Sequence, residues 1–322
     1  ACLLLVLKFL SGCQANIDFT IDQEVDDEGN DFATISWDVQ PVGRITPTRV
    51  TLEPGFGDVD FTGSVQVAPA ETTEYRLTVY AQYEDGRIAN TVVKGKVYVG
   101  PRVDYRLFTD TRLRECAGAS EFTHIEQFST LVCTDQGIES IQGISQLSEL
   151  KLVTLDLNNI SDLSPLAGLD QVHTLSITNN DLTSLATLPA MPALENLVLF
   201  NNGISDISPL MENPQLLNLA INNNQISDAA QFAILPNLTN LSVRNNLIED
   251  IGPIGELSAL QNLDARYNIL KRGVWDLRSL ENAIILDLRG NGDIKCLEYA
   301  NLALMLGKAV LFNDCTFPPP GT

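Results

Sequence analysis

The chain has 322 residues, of which 41 are Asp or Glu against 20 Lys or Arg, giving a formal net charge of −21, and 44% are hydrophobic. That apolar share supports folded domains and argues against disorder, while the length allows two or three of them. A polyanion is repelled by phosphate backbones, which hold proteins mainly through Lys and Arg, so nucleic acid is excluded as a partner.

Residues 1–12 are apolar apart from a few positions such as Lys8. The run is too short to span a bilayer as a helix and reads as the apolar part of an export signal. It ends in Leu10-Ser11-Gly12-Cys13, which resembles the lipobox of bacterial lipoproteins. The resemblance implies cleavage before Cys13, a diacylglycerol on its sulfur and an acylated new amino terminus. Several acyl chains would anchor the chain stably, where one holds it only marginally. Gln14 comes next instead of Asp, which in that family favours the outer membrane of a Gram-negative envelope, on its periplasmic or its surface side. The alternative is an ordinary signal peptide with an incidental cysteine.

Residues 13–101 carry short segments of period-2 alternation, rich in β-branched residues and separated by turn residues. Examples lie at 31–39, 48–52, 74–81 and 90–99. This pattern predicts a small antiparallel β-sandwich. Ala33-Thr-Ile-Ser-Trp37, Val50-Thr-Leu-Glu-Pro-Gly55 and Pro69-Ala-Glu-Thr-Thr-Glu-Tyr75 resemble bacterial immunoglobulin-like, PKD-type modules. Trp37 is read as core packing, and Tyr75 as a strand-edge tyrosine whose hydroxyl bonds to backbone. The acidic stretch 26–31 is read as a solvated hairpin loop, with calcium binding as the alternative, although its spacing is not that of an EF-hand. Pro101 ends the pattern. Residues 102–127, with Leu107, Leu113, Phe122 and Ile125 at helical spacing, read as a cap over the open end of a repeat domain.

Residues 128–291 repeat. Apolar first positions fall at Phe128, Leu150, Val172, Leu194, Leu216, Leu238 and Leu260, each 22 residues after the last. An Asn slot runs through Asn158, Asn180, Asn202, Asn224, Asn246 and Asn268, opened by Gln136 and closed one residue late by Asn291. Two ladders kept over eight turns identify a leucine-rich-repeat solenoid, an α/β architecture with a parallel sheet on its concave side. A single turn cannot bury its Leu and Ile side chains, so stacked turns share one core. The Asn amide both donates and accepts, and can satisfy backbone groups left unpaired at the bend. Ser164-Pro-Leu166 and Ser208-Pro-Leu210 predict single 3₁₀-like turns on the convex side. Residues 229–232 and 271–276 depart from the pattern, and residues 292–322 read as a C-terminal cap.

Beyond Cys13 and Cys2, four cysteines form two pairs close in sequence, Cys116 with Cys133 and Cys296 with Cys315. In an oxidising compartment each pair reads as a disulfide, worth roughly 3 kcal/mol by loop entropy. The alternative, a four-cysteine metal site, has neither CxxC spacing nor a histidine in a ligand pattern to support it. The phrases at 150–166 resemble the internalin-type leucine-rich repeats of bacteria, and the cysteine-bearing flanks resemble the caps of lipoproteins in that group. Unlike typical internalins, this chain places its immunoglobulin-like module before the repeats.

No nucleophile, metalloprotease or phosphate-loop motif is present, and the two histidines, His124 and His173, read as capping and solvated side chains. Neither an enzyme nor a cofactor is expected. Residues alternating with the buried Leu slots face outward on the sheet. Among them, Val198 and Phe200 are apolar on a face expected to be wet, which marks an interaction site. Arg244, Arg266 and Arg289 stand in successive turns beside Asp264, Asp287 and Tyr267, either as a binding column or as a self-satisfied Arg–Asp ladder. With Asp156 and Asn222 these ten residues form the candidate binding face. The expected function is protein binding or adhesion at the cell envelope. Carbohydrate recognition, and a structural envelope role without a ligand, are the alternatives.

Overall fold

The computed structural model describes residues 3–8, 16–25, 30–292, 296–306 and 309–312. The chain divides into two compact units, Ala1–Arg102 and Val103–Thr322.

The first unit is built from two four-stranded antiparallel sheets. One orders β1 (Leu3–Lys8), β2 (Asn16–Val25), β3 (Asp31–Gln40) and β6 (Thr62–Val67) side by side. The other runs β5 (Gly57–Val59), β4 (Ile45–Glu53), β7 (Thr73–Tyr83), β8 (Ile88–Val97). Alternate residues from both sheets, including Phe19, Ile35, Trp37, Leu52, Leu77 and Val93, bury into one core. Trp37 packs there as expected, and its indole N–H donates to the Asp60 carbonyl at 2.8 Å. Tyr75 is corrected: its ring is buried inside β7, and no backbone bond from its hydroxyl occurs among the described residues. The apolar run read as an export signal is here strand β1, paired from Leu3↔Gln23 to Lys8↔Asp18. An extended apolar segment satisfies its backbone on the open edge that β2 presents. Cys13 and residues 26–29 of the acidic loop lie outside the described residues. Asp31, at the end of that loop, opens β3 and pairs with Arg102 at 2.6 Å.

The second unit is a nine-stranded parallel sheet. Its strands are β9 (Thr130–Val132), β10 (Leu152–Thr154), β11 (Thr174–Ser176), β12 (Asn196–Val198), β13 (Asn218–Ala220), β14 (Asn240–Ser242), β15 (Asn262–Asp264), β16 (Ile285–Asp287) and β17 (Ala309–Leu311). Registers advance by 22 residues up to β15, and by 23 from Asn262 to Ile285, which accounts for the late Asn291. β17 extends the sheet one strand beyond the eight turns legible as a repeat. The central Leu or Val of each of the first eight strands is buried in a core shared by all turns. On the other side lie 3₁₀ turns, and Ser164–Leu166, Ser208–Glu212 and Gly252–Glu256 each carry Pro at an early position. Proline lacks the N–H that a first turn leaves unpaired anyway. The two irregular stretches become longer 3₁₀ runs, Ala229–Ile234 and Val274–Ser279, which still bury Phe232, Val274 and Leu277.

The Asn slot does what the amide chemistry predicts. Asn224 Nδ2 donates to the carbonyls of Leu199, Ile221 and Asn222 at 2.9, 3.1 and 3.1 Å, and its Oδ1 accepts from the Ile204 N–H at 3.0 Å. Asn158, Asn180, Asn246 and Asn268 are buried alike and bond neighbouring turns.

The N-terminal end is closed by α1 (Thr111–Gly118), whose Asp110 cap accepts from the Arg112 N–H at 2.8 Å. Leu113 and Ala117 bury on the core, and Phe122 packs edge-on against Phe128 at 5.0 Å. Leu107 is corrected: it is 52% exposed, and Phe108 takes the buried place. The tight turn at Tyr105–Leu107 shifts the phase that regular helical spacing would have set. Gly143, at φ 98°, lets this cap approach, since a Cβ there would stand 2.4 Å from the Leu107 carbonyl oxygen. The Cys116–Cys133 disulfide is present and ties α1 to the residue that follows β9. Cys296 opens α2 (Cys296–Leu306) in the C-terminal cap, whereas Cys315, and with it the second pair, lies outside the described residues.

Candidate functional site

Once the central Leu of each strand points inward, its two neighbours must face outward, so the sheet surface is written in columns 22 residues apart. The column preceding the central Leu holds Asn196, Asn218, Asn240 and Asn262 in four successive turns. Sequence reasoning missed this column, although the same alignment displays it. Its amides bond head to tail: Asn218 Nδ2 donates to Asn196 Oδ1 at 2.6 Å, Asn240 donates to Asn218, and Asn262 donates to Asn240 at 2.6 Å. At the far end Asn196 donates to the Thr174 hydroxyl. In the next turn the column passes to Ile285, which is exposed.

Beside this ladder runs the column of Val198, Ala220, Ser242, Asp264 and Asp287. Together the two columns line an open groove of about 370 Å³. Because the Asn amides largely satisfy one another, the groove presents more apolar than polar surface, with Val198 and Ala220 in its floor and Ile285 at one end. Val198 therefore lies where the sequence placed it. Phe200 is half-buried on the next column and does not line the groove.

The third column joins the arginines but does not treat them alike. Arg266 Nε and Nη2 bond both oxygens of Asp264, at 2.8 and 2.7 Å, and Arg266 also lies 3.4 Å from Asp287. Arg289 grips Asp287 in the same two-pronged way, at 2.9 and 2.6 Å. Burial pushes the Asp287 carboxyl up, but hydrogen bonds from the Arg289 side chain and backbone outweigh it and hold the group below the usual carboxylate range. Asp264 conversely holds Arg266 charged more firmly than an ordinary guanidinium. The self-satisfied ladder thus describes Arg266 and Arg289. It does not describe Arg244, which has no ion pair among the described residues and lies over the Tyr267 ring, 4.9 Å from its centre.

Asp156 and Asn222 occupy equivalent places and work on the backbone. Asp156 Oδ1 accepts from the Ser176 hydroxyl and the Thr178 N–H at 2.8 and 2.7 Å, and Asn222 Oδ1 accepts from the Ser242 hydroxyl and the Arg244 N–H at 2.7 and 2.9 Å. Each carries a side-chain oxygen to the following turn. Tyr267 sits in the left-handed region, φ 54°, in a slot that Asn179, Asn201, Asn223 and Asn245 fill in preceding turns. Those four amides form a second ladder, each later one donating to the one before. His124 is buried in the cap with Nδ1 2.8 Å from the Thr123 hydroxyl, and His173 is exposed. Among the described residues no group of His, Cys, Asp or Glu is placed to hold a metal ion, and no helix is long and apolar enough to cross a membrane.

No family model matches the chain, and no curated protein matches it. Among solved structures it is similar to internalin C2 of Listeria monocytogenes, at 27% identity over 66% of this chain and 97% of that one, with a TM-score of 0.58. It is also similar to a second internalin of that organism, inlF, at 25% identity over 67% of this chain and 74% of the other, with a TM-score of 0.53. The second unit is an internalin-like leucine-rich-repeat solenoid.

Proposed function

We propose that this protein is a lipid-anchored binding protein of the cell envelope that presents the solvent face of its leucine-rich-repeat sheet to a protein partner. The groove along β12 to β16 is the observation that carries this reading, since an open, largely apolar strip on a parallel sheet is surface that a monomer gains nothing by exposing. Likeness to internalins supports a binding or adhesion role over catalysis. The lipobox at residues 10–13 supports anchoring through Cys13, and Gln14 supports the outer membrane of a Gram-negative cell. The alternating strands of the first unit support an immunoglobulin-like module between anchor and solenoid in the chain.

Carbohydrate binding has less support, because Tyr267, the aromatic ring nearest the arginines, already has Arg244 lying over it. The test is partner capture from the native envelope, comparing wild type with a Val198→Glu, Ala220→Glu chain. Both side chains are partly exposed, so the melting temperature should hold while capture is lost. Undiminished capture by the doubly charged groove would sink the assignment of the sheet face.

A further inference from the structure

The arginine column keeps a rule and breaks it once. At Arg266 and Arg289 the residue two positions earlier is an aspartate, Asp264 or Asp287, and the guanidinium takes it bidentately. At Arg244 the residue two positions earlier is Ser242, whose hydroxyl donates to Asn222 Oδ1. The planar fork that matches a carboxylate is therefore built three times and filled from within only twice.

The unfilled one is not left to wander. Its guanidinium lies on the Tyr267 ring, and that ring packs against Gly290, where a Cβ would come within 2.5 Å of it. Gly290 adopts φ 82° in the slot after Tyr267, so absence of a side chain there gives the ring its seat. Stacking on an aromatic face covers the plane of a guanidinium and leaves its edge N–H groups free to donate. Ser242 lines the groove, which places Arg244 at the groove's margin. Over the turns of β14 to β16 these two columns carry three arginines against two aspartates, so this stretch has one uncompensated positive charge in a chain of net −21.

We propose that Arg244 is the receptor for a carboxylate supplied by the partner, an Asp or Glu side chain on a segment whose apolar neighbours lie in the groove over Val198 and Ala220. The carboxylate completes at this turn the pair that Asp264 and Asp287 complete at the next two. This proposal rests on the protein-binding reading of the sheet face but stands on its own test.

The whole chain, with ¹⁵N only in arginine side chains, is titrated with acetyl-aspartate amide, with acetyl-asparagine amide and with inorganic phosphate, monitoring the Nε–H resonances of Arg244, Arg266 and Arg289. Arg244 is expected to shift saturably with the aspartate probe and at least about tenfold more weakly with the neutral one. Arg266 and Arg289 stay still, their forks being occupied. Ser242→Asp, which copies the next two turns, should abolish the Arg244 response. Equal shifts at all three arginines, a silent Arg244, or a stronger response to phosphate than to the aspartate probe would each overturn the carboxylate assignment. The comparison among the three wild-type arginines stands even if the Ser242→Asp chain fails to fold. A silent Arg244 leaves the sheet-face reading intact, because that reading is tested by the groove variants, which do not touch this residue.

Discussion

Replacing Asn224 by Ala should cost the solenoid about 2–4 kcal/mol, and the structure shows where that comes from. The amide makes four bonds, but they are not equivalent. Of the carbonyls it serves, Leu199 keeps a bond from Asn202, Ile221 keeps one from Asn246, and Asn222 keeps one from the Asn201 N–H. The Ile204 N–H, in contrast, donates to Asn224 Oδ1 in a buried setting, and truncation leaves it without that acceptor. An orphaned buried donor costs about 1–3 kcal/mol, and the thinned carbonyl bonds supply the remainder. The neighbouring Asn223 is the control. It is exposed, sits at φ 54°, and bonds its counterparts only along the outer ladder. Asn223→Gly should therefore cost less than about 1 kcal/mol, since glycine adopts that backbone freely. Urea unfolding monitored through Trp275, in a chain carrying Trp37→Phe, reads the solenoid alone. If Asn224→Ala shifts the midpoint by the equivalent of under about 0.5 kcal/mol, or if Asn223→Gly costs as much, the inward ladder is not what holds the turns together.

The caps and the paired acids give two further expected outcomes. Reducing the Cys116–Cys133 bond, 17 residues apart, should lower the stability of the capped end by roughly 3 kcal/mol. A Cys116→Ser, Cys133→Ser chain should lose its protection from hydrogen exchange first in α1 and β9; uniform loss along the solenoid would show that the cap does not act locally. The second concerns acid. The folded pKa of Asp287 lies below its unfolded value, so its pairing stabilises the fold above about pH 4 and is lost as pH falls through the depressed folded value. Asp104, whose carboxyl Arg106 holds at about 2, has a pairing of its own that is lost in the same direction as pH falls toward that value. Midpoints measured from pH 7 downward should stay level until about pH 4 and then drop, and the drop should be shallower in Asp287→Asn. An equally steep acid limb in that variant would contradict the role given to the Asp287 pairs.

The legible parts of the chain are those where folding makes the same physical demand repeatedly. The 22-residue period was visible because burial demands the same residue type at every turn, and Leu, Asn and Ile recur wherever the core or the bend repeats its demand. The strands around Trp37 and Leu77 were visible because a two-sheet core imposes strict alternation. Phe108 was confused with Leu107 because one short 3₁₀ turn shifts phase, and phase is what periodicity reads. β17 escaped because three residues without an Asn slot carry no period. At the site, the identity of the arginines was plain, but their difference was not. It depends on whether a carboxylate two residues away reaches the fork, which is a matter of side-chain geometry. The Asn196–Asn262 ladder differs, since its four asparagines recur at the 22-residue step and are legible in the sequence itself.

The three outward patterns end within a few turns of one another. The amide ladder beside the groove stops at Asn262, where Ile285 replaces the next Asn. The left-handed ladder stops at Asn245, where Tyr267 takes a slot that four asparagines fill before it, although a bulky residue at positive φ is strained by about 1–2 kcal/mol where Asn is tolerated. The aspartate that pairs each arginine is present at Asp264 and Asp287 and replaced by Ser242 one turn earlier. Stability alone would favour carrying every ladder through, because each added rung repeats a bond already shown to fit. Breaking these local rules together gives up rungs that only the Tyr267 contacts with Arg244 and Gly290 offset, which is the pattern expected of the binding face proposed above. The regular turns hold the sheet, and in the binding role proposed above the irregular ones, from Ser242 to Gly290, carry the recognition.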